Sequence, residues 1–245
     1  MKPGADVDKQ IDRVGADLAA ALGEGAVCIA VYGSAAGEEF SPGLSDVNLL
    51  IVLREVTFAD LRLIGATLRR AVGQGLLFAT PLVIAPSFLR DARDSYPIEL
   101  ADIAARHRIL AGEDILANVR IAPDRLRAEA EREARTLLLR LRALVMHHAQ
   151  GDEIRRILSG LVSTVAIIER ALLRAANTSA STTLGAALFA EVERVQGVHL
   201  TALARVLEMR EKKTPWPDGP ALDDLLASVL REVEALVGAI DAQGH

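Results

Sequence analysis

The chain has 245 residues, a formal net charge of −5, and a composition that is 51% hydrophobic but only 3% aromatic. It can therefore bury a sizeable core of Leu, Val, Ile and Ala, as one large domain or two small ones. Lys and Arg form no sustained basic stripe, which argues against a dedicated nucleic-acid binder, and the single cysteine, Cys28, excludes a disulfide framework or a Cys-based metal site. The opening MKPGADVDKQ lacks the apolar core of a secretory signal, and no apolar run reaches membrane-spanning length without a charge, so a cytoplasmic location away from membranes is expected.

In chain order, Asp6–Leu22 carries Ile11, Val14, Leu18 and Leu22 at helical spacing, and Gly23 to Gly25 end that helix. Ala26–Tyr32 is an apolar run closed by Gly33, the pattern of a buried strand. A polar loop then leads to Ser45-Asp46-Val47-Asn48 and a second apolar run, Leu49–Leu53. Gly33 has no Cβ, so its backbone can approach a ligand or take a positive φ. A short helix starting near Ser34 would turn free amides toward an incoming phosphate. Asp46, at a strand entrance facing the Gly-Ser turn, can hold a hard cation beside a triphosphate. Thr57–Val72 reads as a helix with Thr57 as N-cap, Asp60 at its third position and a buried stripe of Leu61, Ile64, Leu68 and Val72. Thr80–Pro86 suits a short strand, and Ser87–Ser95 a loop with at most a helical turn. Pro97 opens a helix running through Glu99, Asp102 and Ile103 to about His107. A turn at Gly112-Glu113-Asp114 and a loop to Pro123 close the first half.

From Pro123 onward every segment is helical: Pro123–Gln150, Asp152–Ala176, Leu184–Val195, Leu200–Lys212 and Leu222–Ile240, with linkers at Asn177–Ser181 and Thr214–Pro220. Ile154, Leu158, Leu161, Val165, Ile168 and Leu172 form a stripe suited to bundle packing. The expected fold is thus an α/β domain over residues 1–120, a mixed sheet with flanking helices, followed by an all-α bundle over residues 121–245.

Gly33, Ser34, Gly37, Ser45 and Asp46, in the order strand, Gly-Ser, Gly, Ser-Asp-x-Asn, strand, resemble the nucleotidyltransferase signature of the DNA polymerase β superfamily. The chain is similar in particular to bacterial antibiotic adenylyltransferases of the aminoglycoside type. The resemblance implies a nucleoside triphosphate held at Gly33, Ser34, Gly37 and Ser45, with Mg2+ at Asp46 and Asn48. It also implies a small hydroxyl-bearing acceptor and a cleft walled by the helical domain. In that family three carboxylates hold two cations, two of them in an Asp-x-Asp pair and the third on a neighbouring strand. Here Asn48 replaces the second aspartate, and Pro81–Pro86 carries no acid. Among the acids nearby (Glu38, Glu39, Asp91, Asp94, Glu99, Asp102), Glu99 is the candidate substitute, because Tyr96-Pro97-Ile98-Glu99 would sit near the cleft mouth. An acid in the first turn of a helix, favoured by the dipole, accounts for it equally. Magnesium often needs only one or two carboxylates with phosphates and water, so two functions follow: nucleotidyl transfer with a depleted metal site, or a catalytically degenerate binding or regulatory protein, such as a toxin–antitoxin type partner.

Two further clusters carry an alternative reading each. Arg106, His107 and Arg108 would meet phosphates or simply solvate the surface. Arg142 and His147 have the Arg-x4-His spacing of HEPN ribonucleases, but on a continuous helix that spacing sets side chains roughly 140° apart around the axis.

Overall fold

The computed structural model describes residues 3–37, 46–72, 77–91, 96–147, 150–176 and 185–243. The chain divides into two compact units, Met1–Ile121 and Ala122–His245. In the first, helix α1 (Pro3–Leu22) leads into β1 (Ala26–Tyr32), a short 3-10 turn (Gly33–Ala36), β2 (Asn48–Leu53), α2 (Phe58–Val72), β3 (Leu82–Ile84), α3 (Pro86–Asp91), α4 (Pro97–Ala105) and β4 (His107–Gly112). The strands form one mixed sheet in the order β3-β2-β1-β4. β1 runs antiparallel to both neighbours, while β2 and β3 are parallel, joined by the α2 crossover.

Period-two alternation sorts β1 and β2 onto two faces. Ile29, Val31, Leu49, Ile51 and Leu53 pack against Ile11, Val14 and Leu18 of α1 and Ile64 and Leu68 of α2. Cys28, Ala30, Leu50 and Val52 pack with Ile84, Leu100 and Ile103 and with Leu116 and Val119 beyond β4. α2 starts on a reciprocal cap. The Thr57 N–H donates to Asp60 Oδ2 (3.1 Å), and the Asp60 N–H returns to Thr57 Oγ1 (3.2 Å), satisfying donors that a helix start leaves open.

The sequence pattern ran the Pro97 helix to His107 and placed only a turn after it. Instead α4 ends at Ala105 and His107–Gly112 forms the edge strand β4. Arg106 leaves helical geometry at φ −138 and ψ 75, and the strand behind it offers only Ile109, Leu110 and Ala111 as apolar signal. Its position is fixed by tertiary contacts. Arg108 pairs with Asp8 and Asp12 of α1, and Gly15 lets α1 approach so closely that a Cβ there would lie 2.6 Å from Leu110 Cβ. β4 ends at Gly112, where φ is +82 and a Cβ would stand 2.2 Å from the Val27 carbonyl oxygen. The span read as loop after Pro86 contains the short helix α3.

The second unit is helical throughout its described residues: α5 (Pro123–Met146), α6 (Gly151–Ala175), α7 (Ala186–Gln196), α8 (Thr201–Arg210) and α9 (Pro220–Gln243). α5 packs on α6 and α9, and α6 also meets α7 and α8. Ile154, Leu158, Leu161, Val165, Ile168 and Leu172 are all buried. Arg135 and Arg142 of α5 reach Asp241 (2.6 Å) and Glu234 (2.9 Å) of α9. Among the described residues, no helix is long and apolar enough to cross a membrane.

Candidate functional site

Of the signature residues, Gly33 and Ser34 directly follow β1 and Asp46 precedes β2. Tyr32 stands opposite Asn48 in the β1–β2 register, so Gly33 turns away beside the entrance to β2. Gly33 takes φ +75, the left-handed region where a side chain is strained. A Cβ there would lie 3.4 Å from Asn48 Nδ2, so the backbone conformation, more than crowding, calls for glycine. The Gly33 N–H is not free for a ligand: it donates to the Arg106 carbonyl oxygen at 3.0 Å. Ser34 is half-buried, and the Gly37 N–H closes the turn onto its carbonyl oxygen at 3.2 Å. Gly37 itself is extended (φ −128) with open space around it, so nothing local demands glycine there. Ser45, Glu38 and Glu39 lie outside the described residues, as does Asp94.

Asp46 is exposed and precedes β2 by two residues, putting it on the strand parity of Asn48. Val47 between them is anchored: its N–H donates to Leu77 O (2.8 Å), and its own carbonyl accepts from Ala79 N (3.1 Å). Asn48 thus sits at the start of β2 next to the Gly33 turn, with the Asp46 carboxylate two residues before it on the same strand parity. That donor set fits a single magnesium ion completed by phosphate and water oxygens, with Asn48 offering Oδ1 since its Nδ2 faces Gly33. Among the described residues, a second cation has no comparable set. β3 is Leu82-Val83-Ile84, and among the described residues no three His, Cys, Asp or Glu side chains form a metal-holding group.

Glu99 is exposed in the first turn of α4, about 10 Å of helix axis before Arg106. α4 covers the sheet face to which Asn48 belongs, but it does so with Leu100 and Ile103. Asp102 lies one turn nearer and pairs with Arg106 at 3.4 Å. Arg106, His107 and Arg108 each face carboxylates: Arg106 with Asp102, the His107 ring with Asp114, Arg108 with Asp8 and Asp12. They bind the first unit together. Arg142 is held by Glu234, and His147 is exposed just past the last residue of α5.

Two residues lie beside the turn: Tyr32, which the sequence pattern does not propose for the site, and His107, which it takes only as part of a cationic cluster. β4 places His107 opposite Tyr32, so His107, Tyr32 and Asn48 form a row across three strands. Partial burial pushes the Tyr32 phenol pKa above its ordinary value. The His107 ring lies between two oxygens, with Nδ1 2.9 Å from Ala104 O and Nε2 3.1 Å from Asp114 Oδ1. Desolvation opposes charge on Asp114, but the Ala117 amide, the His107 ring and the Leu116 amide outweigh it and hold its carboxyl below the usual range. Cys28 is buried under this face, and desolvation pushes its thiol up to about 11, so it is no nucleophile.

No protein-family model matches the sequence, and no curated protein does. Among solved structures, the chain is similar to the spectinomycin adenyltransferase AAD(9) from Enterococcus faecialis, determined with ATP and spectinomycin. The identity is 14% and the TM-score 0.57, over 93% of this chain and 99% of that one. At that identity the likeness speaks for the fold alone, which this chain shares with that adenyltransferase.

Proposed function

We propose that the first unit binds a nucleoside triphosphate with one Mg2+ at the Gly33–Ser34 turn and transfers a nucleotidyl group to a small hydroxyl-bearing acceptor, slowly for want of a second metal site. The observation that carries this reading is the β1–β2 register, which sets the positive-φ Gly33 against Asn48 and the exposed Asp46 just before it. Asp46 and Asn48 would hold the ion, Ser34 would meet a phosphate oxygen, and Gly33 would keep the chain turned out of its way. The bound cation would offset charge on the phosphates during transfer. An adenylyltransferase of the same fold was solved with ATP and an antibiotic, which supports a nucleotide and a small acceptor here.

A second reading, nucleotide binding without turnover, is favoured by the apolar β3 and by the lack of a three-acid group among the described residues. Labelled-nucleotide transfer by the wild type, Asn48→Asp and Glu99→Gln separates the two. Slow wild-type transfer raised by Asn48→Asp supports the depleted enzyme. Magnesium-dependent binding with no transfer in any variant supports the second reading, and robust wild-type turnover abolished by Glu99→Gln refutes both.

A further inference from the structure

The Gly33 turn is held at φ +75, a conformation strained for residues with a side chain, and glycine at this position is also free to leave it. One described backbone bond fixes it from outside its own segment: the 3.0 Å bond from the Gly33 N–H to the Arg106 carbonyl oxygen. That carbonyl belongs to the peptide joining Arg106 to His107, at the corner where α4 becomes β4. The corner is pinned on its helical side, since the Arg106 N–H donates to Asp102 O (3.1 Å) and Ile103 O (3.2 Å). On its strand side β4 pairs with β1 at Tyr32 and His107, and the His107 ring adds a side-chain hold on the corner. An N–H on either ring nitrogen meets an oxygen, Ala104 O at 2.9 Å or Asp114 Oδ1 at 3.1 Å. Asp114 is itself fixed, accepting from the amides of Leu116 (3.1 Å) and Ala117 (3.0 Å). The neutral ring has one N–H, so one of these two contacts is its hydrogen bond and the other nitrogen lies against an oxygen; with the side chain only 12% exposed, His107 is not placed to exchange a proton with a substrate. It acts on the turn through the peptide it anchors.

We propose that His107 is a positioning residue for the nucleotide site: clamped between Ala104 and Asp114, it aims the Arg106 carbonyl at the Gly33 amide and so holds the phosphate-facing turn in place. This rests on the nucleotide reading for its purpose, while the clamp itself is testable without any ligand.

The experiment uses the full chain as wild type, His107→Ala and His107→Gln, the last retaining one donor within reach of Asp114. Amide hydrogen exchange reads Gly33 against the central residues of β1, and calorimetry reads MgATP affinity. Expected for His107→Ala is at least a tenfold faster exchange at Gly33 with the β1 centre still protected, together with roughly tenfold weaker MgATP binding, about 1.4 kcal/mol. His107→Gln should recover part of both. Unchanged Gly33 exchange in His107→Ala overturns the inference. So does acceleration of Gly33 and the β1 centre together, since that is general loss of stability. If the wild type binds no MgATP, the nucleotide reading fails, and the exchange data alone then decide whether the clamp exists.

Discussion

Glu169 of α6 is fully buried, and its one described partner is Gln196 at the end of α7, whose Nε2 donates to Oε2 at 2.7 Å. Among the described residues, its other oxygen has no hydrogen-bond partner. Burial pushes its carboxyl pKa up to about 8 from 4.5, against the smaller lowering by the Gln196 bond. The sign follows by linkage. Between pH 4.5 and about 8 the folded chain keeps a proton that the unfolded chain has lost, so stability falls as pH rises through that window and is level above it. At about 1.4 kcal/mol per tenfold change in proton affinity, the loss is on the order of 5 kcal/mol, a large fraction of a domain's stability. Glu169→Gln keeps the shape and a bond to Gln196 but cannot ionise. Its stability should match the wild type near pH 4.5 and exceed it increasingly toward pH 8.5. Denaturant unfolding of the full chain at several pH values measures this, with amide exchange in α6 and α7 to localise it. A difference between variant and wild type that stays constant across pH would refute the reasoning, because only a titrating Glu169 makes it grow.

Gly112→Ala should cost about 3 kcal/mol or more, because a Cβ at φ +82 would stand 2.2 Å from the Val27 carbonyl; denaturant unfolding should show the first unit's transition lowered. Lys212 occupies the left-handed position after α8 (φ 59), where its N–H reaches Met209 O and the Lys213 N–H reaches Glu208 O, a helix stop that usually takes glycine; Lys212→Gly should therefore raise stability by about 1 kcal/mol, read by thermal melting. Asn48→Asp should tighten magnesium-dependent ATP binding roughly tenfold, about 1.4 kcal/mol, by adding a carboxylate beside Asp46; equal affinities with and without Mg2+ in calorimetry would contradict that.

The first unit's central hairpin was legible because its apolar runs end at Gly33 and begin after Asp46, and alternation sends their side chains to two cores. Thr57 and Asp60 marked a helix start because their cap is local, spanning one turn. β4 was not legible. Its half-buried residues owe their place to contacts with α1, and Arg108 is 96 residues from its partner Asp12. With β4 went the contacts of Arg106, His107 and Arg108 and the row His107–Tyr32–Asn48, since no local pattern announces them. Glu169 drew no notice in the sequence, since its partner Gln196 lies 27 residues away at the end of α7. Gly33 was marked correctly as special, but its amide is committed to Arg106, a bond that requires knowing where α4 ends.

The central claim is that the Gly33 turn and Asp46 form a nucleotide site, and titration of the full chain with ATP, with and without Mg2+, tests it most directly when wild type and Asp46→Asn are compared. The account predicts magnesium-dependent binding by the wild type and at least a tenfold loss, about 1.4 kcal/mol, in Asp46→Asn, with unchanged thermal unfolding because Asp46 is exposed. Binding that is indifferent to Asp46 and to Mg2+, or no binding by the wild type, would contradict it.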